Sequence, residues 1–230
     1  MVQSAGPNPI VALRDETPAV AWFAPIPLSE EPPQFPPARL SPSTVTLESH
    51  ETHISSAEAP IEIGQRLPIS GNPDMRLLGE AVHGFLAADH TERPIAEREA
   101  MAKQALERWG VGSTLLPASL IEASTRLDRF INDQWPGAKQ HRELPVFSRI
   151  GDQRVNGRID LLLETEDGFV IIDHKTFPGA PDTWIEKAKG YAPQLGLYSR
   201  IITQATGRPV LHSYVHMPIV GACIRLARID

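Results

Sequence analysis

Gly157-Arg158-Ile159-Asp160-Leu161-Leu162-Leu163-Glu164 and, after an Asp167-Gly168 turn, Phe169-Val170-Ile171-Ile172-Asp173-His174-Lys175 form the stretch that decides the fold. Side chains alternate across a strand, so the second run puts Phe169, Ile171, Asp173 and Lys175 on one face and Val170, Ile172 and His174 on the other. In the first run Asn156, Arg158, Asp160 and Leu162 form one face. Charges set among such apolar residues are costly unless they have partners. Paired as a hairpin in the register that faces Asp160 towards Asp173, the two strands bring two carboxylates and an ammonium to one point. Hard oxygen ligands suit Mg2+, which takes one or two protein carboxylates and leaves room for a phosphate. Lys175 would then orient an attacking water or stabilise developing negative charge.

Working outward, residues 143–150 and a Gly151-Asp152 turn add a strand before this pair, which makes a three-strand meander. Further upstream the period changes to that of helices. Leu78, Val82, Phe85 and Leu86 form one stripe, and Ile95, Ala102, Ala105, Leu106 and Trp109 a second. Residues 119–130 form a third, with Leu120, Ala123, Leu127 and Phe130 on one side and Trp135-Pro136-Gly137 as its stop. Downstream, a helix is expected over 193–204, ended by Gly207-Arg208-Pro209, and two last strands over 210–216 and 223–226. Helices, meander, helix and strands in that order indicate α/β or α+β with a mixed sheet, and the α/β arrangement, a central mixed sheet flanked by helices, is the one expected.

Eleven of the 22 prolines fall in residues 1–66, so this region is expected to be a Pro-rich, disordered linker, with the folded domain over 67–230. Trp22 and Phe23 could dock on a partner, but two aromatics among prolines are more often transient contacts than a binding motif. The linker holds three basic and eight acidic side chains, which accounts for most of the net charge of −6 and leaves the rest close to neutral. A nucleic-acid partner is therefore not excluded by charge. One cysteine, Cys223, excludes an intrachain disulfide, a four-cysteine zinc site and an iron–sulfur cluster built from this chain alone. No apolar run reaches membrane-spanning length and no signal peptide opens the sequence, so a cytoplasmic, non-membrane protein is expected.

The motifs Gly157-Arg158-Ile159-Asp160, Asp173-His174-Lys175-Thr176 and Gln194-Leu195-Gly196-Leu197-Tyr198, in this order, resemble the RecB-type branch of the PD-(D/E)XK nucleases. Leu78-Gly79-Glu80-Ala81-Val82-His83 is similar to the setting of that branch's upstream histidine. Glu143, in Arg142-Glu143-Leu144-Pro145, looks like the acidic residue before the G-x-x-D strand. Over residues 75–226 the resemblance implies a restriction-endonuclease-like core. It also implies catalysis by Glu143, Asp160, Asp173 and Lys175, and metal binding by His83, Asp160, Asp173 and the main-chain carbonyl of His174. Arg158, Gln194 and Tyr198 would support the site or the DNA. The implied cofactor is Mg2+, with Mn2+ able to substitute. Pro36-Pro37-Ala38-Arg39-Leu40-Ser41-Pro42-Ser43 and Met217-Pro218-Ile219-Val220-Gly221 look like the C-terminal nuclease region of AddA-like helicase–nucleases. The implied activity is exonuclease cleavage of single-stranded DNA ends in recombination or break repair, and the implied partners are DNA and a helicase chain or AddB-like subunit. The sequence holds no G-x-x-x-x-G-K-[ST] loop, which leaves open a nuclease fragment and a separate small protein.

Each motif also has a structural reading. His83 beside apolar helical positions can be a core histidine, and Gly79 one turn before it either opens room or packs closely. Asp160 and Asp173 can pair with Arg158 and Lys175, Glu143 can be a solvated strand-edge acid, and Gln194 and Tyr198 at i, i+4 can be ordinary helix packing. The His174 imidazole faces away from Asp173, and His212 and His216 are read as packing residues. Two rival functions remain open at this point: a catalytically silent DNA-binding or partner-docking domain, and a metal hydrolase of non-nucleic substrates.

Overall fold

A computed structural model describes residues 39–42, 54–151 and 153–228. The expectations for residues 1–38 and 43–53, Trp22 and Phe23 among them, lie outside the described residues. The meander is β4 (Lys139–Ile150), β5 (Gln153–Glu164) and β6 (Phe169–His174), antiparallel throughout. β7 (Val210–Met217) runs parallel to β6, and β8 (Ala222–Arg228) antiparallel to β7. Three short strands lie within the region expected to be linker. β1 (Arg39–Leu40) pairs parallel with β5, while β2 (Ile54–Ala57) and β3 (Ile61–Glu62) pair antiparallel with β8. The eight strands described form one mixed sheet whose main path is β1-β5-β6-β7-β8-β2.

Helices cover both faces. α1 (Met75–Ala88) starts on Asp74, whose side chain accepts from the Arg76 and Leu77 amides, and it buries Leu78, Ala81, Val82, Phe85 and Leu86. With α2 (Ile95–Arg108) and α3 (Pro117–Gln134) it encloses a core of Leu78, Phe85, Leu106 and Leu120. The far half of α3 lays Leu127, Phe130 and Ile131 on Leu161, Leu163, Val170 and Ile172 of the sheet. On the opposite face, α4 (Pro181–Lys189) and α5 (Ala192–Thr206) pack Trp184, Leu195, Tyr198 and Ile201 against Leu162, Ile171 and Val215. Every residue of β6 is buried, as expected of a central strand covered on both faces. Gly207 ends α5 with φ 70°, a left-handed conformation that favours glycine.

The simple alternation expected along β5 breaks at Asp160. Val155 and Ile159 join the same core as Leu162, whereas Leu161 and Leu163 join the other. Opposite this break in β4 stands Glu143, with φ 51° the one non-glycine at positive φ among the described residues. A left-handed residue rotates the pleat locally, so a strict period of two does not carry through the position. Among the described residues no helix is long and apolar enough to cross a membrane.

Candidate functional site

The register of β5 on β6 pairs Leu161 with Ile172 and Leu162 with Ile171, and one step further sets Asp160 opposite Asp173. The Asp160 carboxylate accepts a hydrogen bond from the His174 amide at 2.8 Å. From the helical side, the stripe that buries Val82 and Phe85 leaves His83 half-buried at its edge, with Nδ1 3.6 Å from Asp160 Oδ2. Glu143 arrives from β4. Its backbone is held at φ 51°, and His83, Glu143 and Asp160 each offer a ligand atom within 4.8 Å of the others. One imidazole and two carboxylates at this spacing fit a divalent cation.

Asp173 lies deeper, 2% exposed, and its two oxygens are divided between partners. Lys175 Nζ is 2.6 Å from Oδ2, and the Gln194 amide donates to Oδ1 at 3.2 Å. Burial pushes the Asp173 carboxyl up to about 6, against the pull of Lys175, and the neighbouring Asp160 charge adds to the rise. Asp160 is also raised by burial, and His83, the His174 amide and Lys175 hold part of that rise back. Burial works against the Lys175 ammonium, but the Asp173 carboxylate outweighs it and the net shift is upward. Lys175 Nζ also lies 4.8 Å from the centre of the Tyr191 ring, a cation–π arrangement.

The supporting residues have specific partners. Tyr198 hydroxyl donates to the Arg158 carbonyl at 2.7 Å and accepts from the Arg158 amide at 3.3 Å, which ties α5 to β5. Gly157 makes this possible: a Cβ there would sit 2.9 Å from Tyr198 Cε1 and 2.7 Å from Pro42 Cγ. Gly79 is less demanding, since a Cβ there would meet Thr176 at an ordinary 3.7 Å. Arg158 donates to Glu143 at 2.9 Å from a side chain that is 65% exposed. The His174 imidazole is buried, with Nδ1 3.0 Å from Nδ1 of the fully buried His216, and burial keeps both rings neutral. His212 packs edge-on against Tyr214.

All nine residues singled out from the sequence therefore lie in one neighbourhood, joined by the contacts above: His83, Glu143, Arg158, Asp160 and Lys175 line a cleft of about 970 Å³, and Asp173, His174, Gln194 and Tyr198 lie outside its lining and contact those residues or one another. Sequence reasoning missed Tyr191 and Arg142. Arg142 donates to the carbonyls of Leu86 and Asp89, at the end of the helix that carries His83. A cation next to Glu143, the acidic residue of β4, was the available signal, because helix C-terminal carbonyls attract positive charge.

Comparison with known proteins sets this arrangement among relatives. Residues 61–226 match a family model described as the PD-(D/E)XK nuclease superfamily. Over 177 residues the chain is 30% identical to an ATP-dependent helicase/nuclease polypeptide of Pediococcus pentosaceus, covering 67% of this chain and 14% of that protein. The proteins of the same description from Carboxydothermus hydrogenoformans and Desulforamulus reducens are 45% identical over 62 residues and 32% identical over 112. These matches cover 27% and 46% of this chain, and 5% and 8% of those relatives. The chain thus spans only a small part of the length of the curated relatives it matches.

Proposed function

This chain belongs to the PD-(D/E)XK nuclease superfamily, and we propose from that premise that it hydrolyses DNA phosphodiesters with a divalent ion, Mg2+ or in its place Mn2+. The observation that carries the reading is the convergence of His83, Glu143 and Asp160 beside the buried Asp173–Lys175 pair. His83, Asp160, Asp173 and the His174 carbonyl are the proposed ligands, with Glu143 completing the acidic wall. When bound, the ion supplies Lewis-acid neutralisation of charge on the scissile phosphate. Lys175, held by Asp173 and backed by Tyr191, orients the attacking water and meets negative charge that grows in the transition state. Arg158 contacts a substrate phosphate from the rim, while Gln194 and Tyr198 hold Asp173 and the β5 backbone in position.

The finer reading is an exonuclease acting on single-stranded ends in recombination or break repair, partnered by a helicase chain or an AddB-like protein. The named relatives, which are ATP-dependent helicase/nuclease polypeptides, support this context. Incubation with linear and circular single-stranded DNA, with Mg2+ and with chelator, tests it. Loss of linear DNA alone, dependent on Mg2+ and abolished in Asp160→Asn, is the expected result. Cutting of circles would make the enzyme an endonuclease, and no cutting under any condition would leave a silent DNA-binding or docking domain.

A further inference from the structure

The β4–β5 hairpin continues well past the cleft, and its two faces differ sharply. Residues directly opposite in an antiparallel pair point to the same side. Leu144 and Ile159, Val146 and Gly157, and Ser148 and Val155 are such pairs, and Val146, Val155 and Ile159 are buried. The intervening pairs are Pro145 with Arg158, Phe147 with Asn156, and Arg149 with Arg154, and they share the other side. On that side Phe147 is 73% exposed, with Arg154, Asn156 and Arg158 exposed around it. β1 extends the same face, because its parallel register sets the exposed Arg39 opposite Arg154.

The result is a surface with four arginines and one exposed aromatic ring, whose paired positions hold no acid and which meets one only at its cleft end, where Arg158 donates to Glu143, on a chain whose net charge is −6. It begins in the cleft, since Asn156 and Arg158 line the cavity that holds Asp160. At a strand rise near 3.3 Å per residue, the Phe147–Asn156 pair lies about 13 Å along the hairpin from Asp160. An ordinary solvated sheet face mixes both signs of charge and has no need of a bare phenyl ring. Positive side chains interleaved with an aromatic platform match instead a polyanion whose bases are free to stack, and a duplex keeps its base faces covered by neighbouring pairs.

We infer that this outward hairpin face is a track for single-stranded DNA, which it guides into the cleft with phosphates on Arg39, Arg154 and Arg158 and a base on Phe147. The inference deepens the nuclease reading and rests on it for the destination of the strand.

Fluorescence anisotropy of a labelled oligothymidylate and of a duplex of equal length, titrated with the full chain in chelator, tests it without cleavage. Phe147→Ala is expected to weaken oligothymidylate binding by about tenfold, the effect of losing one stacked base, while duplex binding changes little. Phe147→Trp is expected to retain it. In Arg39→Ala/Arg154→Ala the slope of log affinity against log salt should fall by about 0.7 for each arginine that met a phosphate. Unchanged oligothymidylate affinity in Phe147→Ala, or equal losses on single strand and duplex, overturns the track. A parallel cleavage assay in Mg2+ separates the two readings. Cleavage that Asp160→Asn abolishes, alongside unchanged binding in Phe147→Ala, removes the track alone. Weakened binding in the variants of a parental protein that never cleaves removes the nuclease and keeps the surface.

Discussion

At the scale of single residues, the cleft is governed by a carboxyl that burial discourages from ionising and an ammonium that compels it to. Burial pushes Asp173 up to about 6, so as a proposed ligand it would have to give up a proton to an incoming cation below that pH, and above it the carboxylate is already formed. Apparent Mn2+ affinity should therefore climb from about pH 5 to about pH 6 and level off by about pH 7. Calorimetry in two buffers of different ionisation heat should register proton release only on the acid side. A flat profile across that range would remove Asp173 from the ion's shell. Lys175→Ala should lower the cleavage rate by about 10² to 10³ with metal saturating, since it removes a contact made in the transition state. Its second effect follows from the 2.6 Å ion pair: without metal, the variant's melting temperature should fall further below the parent's at about pH 8 than at about pH 5, where Asp173 is protonated and needs no partner. Parental cleavage in this variant would end the catalytic assignment. Gly157→Ala forces a methyl group against Tyr198 and Pro42, and overpacking of this kind costs about 1–3 kcal/mol, to be read from denaturant unfolding.

Among the secondary-structure elements, the joint between α1 and β4 sets where His83 meets the acids. Arg142 spans it by donating to two carbonyls at the helix end. Arg142→Met should cost about 1.5–3 kcal/mol of stability and weaken Mn2+ binding together, whereas His83→Ala should weaken Mn2+ binding with little change in melting temperature. A large drop in melting temperature for His83→Ala with unchanged metal affinity would make the histidine structural. The elements legible in the sequence are those with an apolar pattern of their own: α1, α2, α3, α5, β6, β7, β8 and, up to the break at Asp160, β5. β4 starts at Lys139 rather than 143 because Lys139 to Arg142 are polar, and their side chains find partners such as Glu164 for His141 instead of a core. α4 escapes a reading by period since only Trp184 and Ala188 of its nine residues are buried. β1, β2 and β3 are too short to show any period, and what defines them is the neighbouring strand rather than their own sequence. The site is legible wherever a residue type announces chemistry, as with Asp160, Asp173 and Lys175. The left-handed backbone of Glu143 announces nothing, because a positive φ at a glutamate has no signature in residue type.

For the molecule as a whole, the sites of chemistry and of order are separated along the chain. The proposed ligands come from residues 83 to 174, but β6, which carries Asp173, is held on one side by β5 and on the other by β7, built from residues 210–217. Parallel pairing of β6 with β7 must wait for α4 and α5 to be made, and such long-range pairings form late. A fragment ending at residue 208 should contain every proposed ligand and still bind no Mn2+ by calorimetry. Under the proposed function the same ordering would act as a safety catch during translation. A nascent chain still lacking β7 would carry all the proposed ligands in an unassembled state, so under the proposed function the capacity to cut would arrive only once the central strand is clasped from both sides.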